Sequence, residues 1–339
     1  MQKHDRILSV SNLTTKLKIG HHSYKVVDEI SFDLQLGKTL ALVGESGCGK
    51  TMTALSIMQI LPTPPALKPE GVINYKGQNL LTLSEKEMCK IRGGKIAMIF
   101  QDPSTALNPV YTIGSQMVEA AELHLNLYND DAIQKAADAL AEVGIATPME
   151  ILSNYPHQLS GGMKQRVMIA MALMCEPDIL IADEPTTALD VTIQAQVLDL
   201  IRALQVKKGM AVLLITHDMG VVAELADEVI VMYAAQAIER GSVLQIFDHM
   251  AHPYTLGLFK SRPGRESHRG KLQAIPGNVP SFTHFPAGCR FHPRCPFVME
   301  KCRHGAVPDF PIGEGTGHFA KCWLHDGTEE SNRKKEGYL

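Results

Sequence analysis

The chain has 339 residues, 45% of them hydrophobic, and a formal net charge of -3, the profile of an ordinary globular protein with room for one large core or about two domains. That charge gives no broad positive field, which sets nucleic acid aside as a partner. No stretch reaches the roughly 18 apolar residues of a spanning helix, so the chain is expected in the cytoplasm, reaching a membrane only through a partner.

Residues 7–17 and 26–36 read as strands, the second with Ile30, Phe32, Leu34 and Leu36 alternating against polar neighbours, which predicts a half-buried sheet. Between them Gly20-His21-His22-Ser23-Tyr24 is a turn whose rings can stack on an adenine; an ordinary loop with a half-buried tyrosine fits equally well, and Tyr24, His22 and His21 are all candidates. The apolar run 40–43 then leads into Gly44-Glu45-Ser46-Gly47-Cys48-Gly49-Lys50-Thr51, which fits G-x-x-x-x-G-K-[ST]. Its glycines let the backbone turn tightly and aim N–H groups inward. Lys50 can place its ammonium on the β- and γ-phosphates of a nucleotide, and Thr51 can offer a hydroxyl to Mg²⁺. From Met52 the sequence is helix-like, so the positive end of a helix dipole faces the same phosphates. A chance glycine-rich turn would lack this strand before and helix after.

Further along, 62–71 is a Pro-rich loop, 71–80 a hairpin, and 95–100 a short strand ending at Gln101-Asp102-Pro103, where an amide can ligate Mg²⁺ and orient water. From 113 to 152 the period becomes helical, with Ala132, Ala136, Leu140 and Val143 recurring at three- and four-residue steps, which predicts a separate helical lobe. Ser160-Gly161-Gly162 opens a long helix and reads either as a second anion site or as an N-cap with glycines for close packing. The strand 178–182 delivers Asp183 and Glu184 at its end. Since neighbouring strand residues point to opposite sides, Asp183 is expected to hold Mg²⁺ through water while Glu184 faces a hydrolytic water. Thr187-Ala188-Leu189-Asp190 follows as a loop. The buried strand 211–216 ends in His217-Asp218, where a histidine can reach a γ-phosphate or serve structure alone. Residues 228–233 and 237–240 suggest a terminal hairpin.

Beyond His252 the periodicity fades into Pro- and Gly-rich sequence, and Arg333-Lys334-Lys335 reads as a solvated charge run. Of the seven cysteines, Cys48, Cys89 and Cys175 are scattered, while Cys289, Cys295, Cys302 and Cys322 are bunched as C-x5-C-x6-C-x19-C. In a reducing compartment such a bunch argues for metal before disulfide. Four thiolates can bind Zn²⁺ or a [4Fe–4S] cluster, the spacings do not match the pairs of common zinc ribbons, and unligated thiols are the third reading.

Over residues 5–260 these motifs, in this order, resemble the ATP-binding subunits of ABC transporters. Gly44 to Thr51 is similar to the Walker A motif, Gln101 to the Q-loop glutamine, and Leu159-Ser160-Gly161-Gly162-Met163-Lys164-Gln165 to the signature. Ile179 to Glu184 is similar to Walker B, Ala188-Leu189-Asp190 to the D-loop, and His217 to the switch histidine. Gly44-Glu45-Ser46-Gly47, Gln101-Asp102-Pro103 with Leu107-Asn108-Pro109, the stretch from Asp190 to Gln196, His252-Pro253-Tyr254, and Ile275-Pro276-Gly277 through Cys289-Arg290-Phe291-His292-Pro293-Arg294-Cys295-Pro296 resemble the oligopeptide/dipeptide/nickel importer branch, in particular its D-type ATPase subunit. Two positions depart: Cys48 stands where serine is usual, and Ala235 where glycine is common.

The resemblance implies an α/β P-loop fold with an antiparallel β subdomain, a helical subdomain over about 104–160, and a loop-rich, Cys-containing extension over 261–330 followed by a tail at 331–339. It implies ATP bound by Tyr24, Gly44 to Met52, Gln101, Asp183 and His217, with Mg²⁺ at Thr51, Gln101 and Asp183. Glu184 is the implied general base, aided by His217 and Gln101. Ser160, Gly161, Gly162 and Gln165 act on the nucleotide of an opposite subunit, and Asp190 couples the two sites. It tips the Cys289, Cys295, Cys302 and Cys322 group towards a [4Fe–4S] cluster over Zn²⁺. The implied partners are two transmembrane permease subunits, a second related ATPase in a heterodimer and an extracytoplasmic peptide-binding protein, with the chain peripheral on the cytoplasmic face of the inner membrane. Nickel or another small solute as cargo, or a soluble ABC ATPase outside transport, are the alternatives.

Overall fold

The computed structural model describes residues 6–187, 191–261, 274–313, 315 and 317–336, with Val191 and Thr192 in backbone only. The chain opens with the hairpin β1 (Arg6–Ile19) and β2 (His22–Gln35) and enters the core through β3 (Thr39–Val43) and helix α1 (Lys50–Met58). It then returns to pair β4 (Glu70–Tyr75) and β5 (Gln78–Asn79) with the hairpin, giving an antiparallel sheet ordered β2-β1-β4-β5. Ile30, Phe32 and Leu34 lie on its buried face, as the alternation predicts, but Leu36 falls past the end of β2 and is 46% exposed, so the pattern stops one step short of the sequence reading.

After α2 (Glu85–Ile91), strand β6 (Ile96–Ile99) leads into the helical lobe: α3 (Pro103–Ala106), α4 (Ile113–Leu125), α5 (Asn129–Glu142), α6 (Pro148–Ser153) and α7 (Gly161–Met174). Ala132, Ala136 and Leu140 are fully buried in one cluster with Met117, Ala121 and Val167, which is what their helical spacing requires. The chain then alternates through β7 (Ile179–Asp183), α8 (Val191–Lys208), β8 (Ala211–Thr216), α9 (Met219–Leu225) and β9 (Glu228–Tyr233). Strands β3, β6, β7, β8 and β9 are mutually parallel. Every residue of β3, β7 and β8 is buried, because both sheet faces are covered, and the sequence there is accordingly apolar except at the strand ends Thr39, Asp183 and Thr216.

The turn from β9 to β10 (Gln236–Ser242) places Ala234 at φ +46 and Ala235 at φ +70, left-handed conformations that cost a residue with a Cβ roughly 1 kcal/mol each. The position expected to want glycine thus does adopt a glycine-like backbone. The turn is held by the phosphate loop itself, since Ala235 N donates to Cys48 O at 3.0 Å.

Past α10 (Val243–Asp248) and α11 (Pro253–Lys260), the extension adds structure to the expected loops. β11 (Phe310–Pro311) and β12 (Phe319–Ala320) continue the main sheet, ordered β11-β12-β10-β9-β3-β8-β7-β6, with Ala320 opposite Glu239. The charge run lies on α12 (Glu329–Glu336), where Arg333 is exposed. Among the described residues no helix is long and apolar enough to cross a membrane.

Candidate functional site

The loop after β3 is shaped by glycines that nothing larger can replace. At Gly44 (φ +151) a Cβ would come within 2.2 Å of the Met232 carbonyl oxygen, and at Gly49 (φ +106) within 2.5 Å of that of Val26. Gly49 is the N-cap of α1 and has no side chain to satisfy the first-turn amides, which leaves them for an anion. Lys50 is 5% exposed and donates from Nζ to Gly44 O at 2.8 Å and Glu45 O at 3.2 Å, folding its ammonium over the loop. Cys48 is fully buried, and burial pushes its thiol up despite the nearby Lys50 ammonium, so it stays a neutral packing group.

Across the cleft, β7 brings two carboxylates with different surroundings. Asp183 is 2% exposed and accepts from the Thr51 hydroxyl at 3.2 Å; burial, with the charge of Glu184, lifts it above the usual aspartate value against the pull of that hydrogen bond. A hydroxyl facing a buried carboxylate is the hard oxygen set that suits Mg²⁺. Glu184 does not continue the strand: at φ +46 the chain turns there, and this turn, rather than strand alternation, separates the two side chains. Its carboxylate accepts from Gln101 Nε2 at 2.8 Å and Thr187 Oγ1 at 2.8 Å, and lies 3.1 Å from His217 Nδ1. Burial works to raise the Glu184 carboxyl, but the bonds from Thr187 and His217 and the charges of His217 and Lys50 outweigh it, and the group sits below the usual glutamate value.

The structure therefore brings Gly44, Glu45, Ser46, Gln101, Glu184 and His217 to one cleft, lined also by Met219, Leu258 and Ser261. Gln101 is turned to Glu184 rather than to Thr51 and Asp183. Tyr24 packs edge-on against Phe282 at 6.2 Å between ring centroids, and its ring is also 6.2 Å from that of His22. The start of α7 is not part of this cleft. Ser160 and Gly161 are exposed there, the Ser160 hydroxyl accepting from Met163 N at 3.3 Å, while Gln165 points inward, 2% exposed, and donates to Pro185 O at 2.6 Å. Asp190 lies outside the described residues.

Sequence reading missed the loop's long-range supports. Glu45 N donates to Tyr254 Oη at 2.8 Å, and Tyr254, fully buried, is the second residue of α11, in the His252-Pro253-Tyr254 motif. His252 caps that helix by accepting from Tyr254 N at 3.0 Å, while its Nε2 has no hydrogen-bond partner among the described residues. Around it stand the Phe291 ring at 5.7 Å, the Glu239 carboxylate bonded to its backbone N–H, and His325. Burial and then His325 push its pKa from 6.5 down to about 3. The unfolded chain thus binds a proton that the folded one refuses, so this stability is complete above pH 6.5 and lost as pH falls towards 3. Between pH 7.5 and 5 the wild type is expected to lose about 2 kcal/mol more than His252→Asn, which keeps the cap, as read from urea midpoints at the two pH values.

The expected cluster at Cys289, Cys295, Cys302 and Cys322 is corrected. All four thiols are free and line one narrow apolar pocket with Phe291, Phe297, Met299 and Trp323, but among the described residues no group of three or more His, Cys, Asp or Glu is arranged to hold a metal ion. Burial pushes the Cys289 thiol up to about 11 and Cys295 to about 12, and raises Cys322 further. Neutral thiols in an apolar pocket pack as small hydrophobes, so neither the iron–sulfur nor the zinc reading has support here.

A family model described as ABC transporter matches residues 27–187, and one described as oligopeptide/dipeptide transporter, C-terminal region, matches 238–302. The chain is 48% identical over 322 residues to a probable peptide ABC transporter ATP-binding protein, y4tR, of Sinorhizobium fredii, covering 95% of this chain and 96% of that one. It is 48% identical over 326 residues to the dipeptide transport ATP-binding protein DppD of Bacillus subtilis (96% and 97% covered), and 46% over 327 residues to that organism's oligopeptide transport ATP-binding protein AppD (96% and 99%). Among solved structures, the dimeric post-hydrolysis state of the ATP-binding cassette MJ0796 bound to ADP and Pi superposes with a TM-score of 0.60 at 26% identity, over 70% of this chain and 99% of that one. The structure of cbiO1 from Clostridium perfringens gives 0.61 at 28% identity, over 73% and 92%.

Proposed function

The chain belongs to the ATP-binding proteins of ABC-type peptide transporters, and from that premise we propose the following division of labour in its site. It is an ATPase that powers peptide uptake. ATP is its substrate: the α1 amides and Lys50 hold the phosphates, and Thr51 and Asp183 hold Mg²⁺, which supplies charge compensation on the phosphates. Glu184 is the general base, ionised at neutral pH, and Gln101 and His217 orient water and the γ-phosphate around it. The convergence of Gln101 and His217 on the Glu184 carboxylate, in the cleft at the phosphate loop, is the observation that carries this reading.

Ser160, Gly161 and Gly162 complete the pocket of an opposite ATPase subunit, with Asp190 coupling the two. The exposure of Ser160 and Gly161, with Gly162 half-buried beside them at the start of α7 and outside the chain's own cleft, supports this. Closure of two such subunits around ATP, and opening after hydrolysis, is the power stroke. Residues 5–260 form the ATP-binding unit, supported by the end of α11 at Lys260, and 261–330 the extension. Family membership implies membrane permease partners. In fuller form the assembly has two permeases, a second related ATPase, a binding protein outside the cell and this chain on the inner face of the membrane, with di- or oligopeptide as cargo.

In membrane vesicles carrying this chain with its permeases, ATP hydrolysis is expected to rise at least several-fold when peptide-loaded binding protein is added. Hydrolysis that ignores peptide would overturn the transport reading.

A further inference from the structure

Glu45 is the second residue of the phosphate loop and lines the cleft proposed to take a triphosphate. A carboxylate there opposes the charge of the substrate. It is met by Arg294, from the extension, through a two-pronged ion pair: Nη1 to Oε2 at 2.8 Å and Nη2 to Oε1 at 3.2 Å. The Arg294 side chain is only 6% exposed, that of Glu45 29%. The remaining donors of the guanidinium are anchored as well, Nε to Pro276 O at 2.9 Å and Nη2 to Ile275 O at 3.4 Å, and the group lies 5.7 Å from the Tyr233 ring centroid. A second arm of the same segment, Arg290, bonds the Asp28 carboxylate and the Ala234 carbonyl beside the turn that holds Cys48. On the loop side, the Glu45 carbonyl accepts from Lys50 Nζ at 3.2 Å, so the residue that Arg294 grips also sets the ammonium meant for the phosphates.

We infer that Arg294 is a positioning residue for the phosphate loop: by neutralising and pinning Glu45 it sets the affinity for nucleotide, which puts the C-terminal extension in control of the ATP site. The inference rests on the nucleotide-site reading above. It also differs from a plain docking contact, in which the pair would only fasten the extension and either partner could be lost at similar cost. If charge at the cleft mouth is what matters, affinity follows the net charge of the pair.

The test uses the full-length protein and Mg²⁺ with a fluorescent ATP analogue, measuring Kd together with melting temperature. Arg294→Gln, which leaves Glu45 uncompensated, is expected to weaken binding on the order of tenfold. Glu45→Gln, which leaves Arg294 uncompensated, tightens it about threefold, and the double variant Arg294→Gln/Glu45→Gln recovers most of the loss of the single arginine variant. Arg294→Lys, keeping the charge without the fork, falls between wild type and Arg294→Gln. In turnover the change appears in KM for ATP more than in kcat. Equal weakening in both single variants, or a double variant no better than Arg294→Gln, overturns the inference while leaving the site reading intact. Should Arg294→Gln not fold, Glu45→Gln decides alone, since weaker binding there overturns the proposal. A wild-type protein that binds no nucleotide overturns the site reading and this inference with it.

Discussion

Replacing Glu184 by Gln is expected to lower ATP turnover on the order of 10²–10³-fold while the protein still binds ATP. The side chain keeps its size and one acceptor oxygen, so the contacts with Gln101, Thr187 and His217 are largely preserved. What disappears is the charge and the capacity to take a proton from water. Because the Glu184 carboxyl lies below the usual glutamate value, wild-type activity should show no acid limb from this group between pH 5 and 8. Steady-state hydrolysis with a parallel equilibrium binding assay decides the matter, and turnover at the wild-type rate would remove Glu184 from the role of base.

Replacing Gly162 by Asp should be nearly as damaging, for a reason outside the chain. A Cβ at Gly162 meets nothing closer than Ile193 Cγ2 at 3.5 Å, an ordinary contact, so the fold accepts it. A carboxylate in the first turn of α7 even complements the positive end of that helix. The isolated chain should therefore keep its melting temperature and its ATP affinity. In the closed pair proposed above, the new charge would face the γ-phosphate held by the other subunit, replacing a donor surface with a repulsive one. Hydrolysis is expected to fall on the order of 10²-fold. A Gly162→Asp protein that hydrolyses normally would mean that each chain works without a mate.

Much of this site is legible in the sequence because its chemistry is local. Lys50 and Thr51 follow a strand and open a helix, and Asp183, Glu184 and His217 stand at the ends of buried apolar runs, so short patterns suffice to place them. The helical character of α5 is equally readable from Ala132, Ala136 and Leu140, although the core they enter is shared with β6, β7 and β8. Tyr254 and Arg294 were not readable as parts of the site, because they reach Glu45 across 209 and 249 residues of sequence, and no periodicity encodes such a meeting. The separation of Asp183 from Glu184 came from a left-handed residue that strand geometry does not anticipate. The bunching of Cys289, Cys295, Cys302 and Cys322 was real in space, since they line one pocket, but spacing alone does not distinguish thiolate ligands from buried thiols.

The short strand β12 seals the flank of β10. Cutting the protein back to its ATP-binding portion would lay bare a row of unsatisfied backbone groups beside Glu239 and Arg240, ready to zip onto another chain. The extension thus doubles as a guard against self-stacking, and a shortened protein would be stickier as well as smaller.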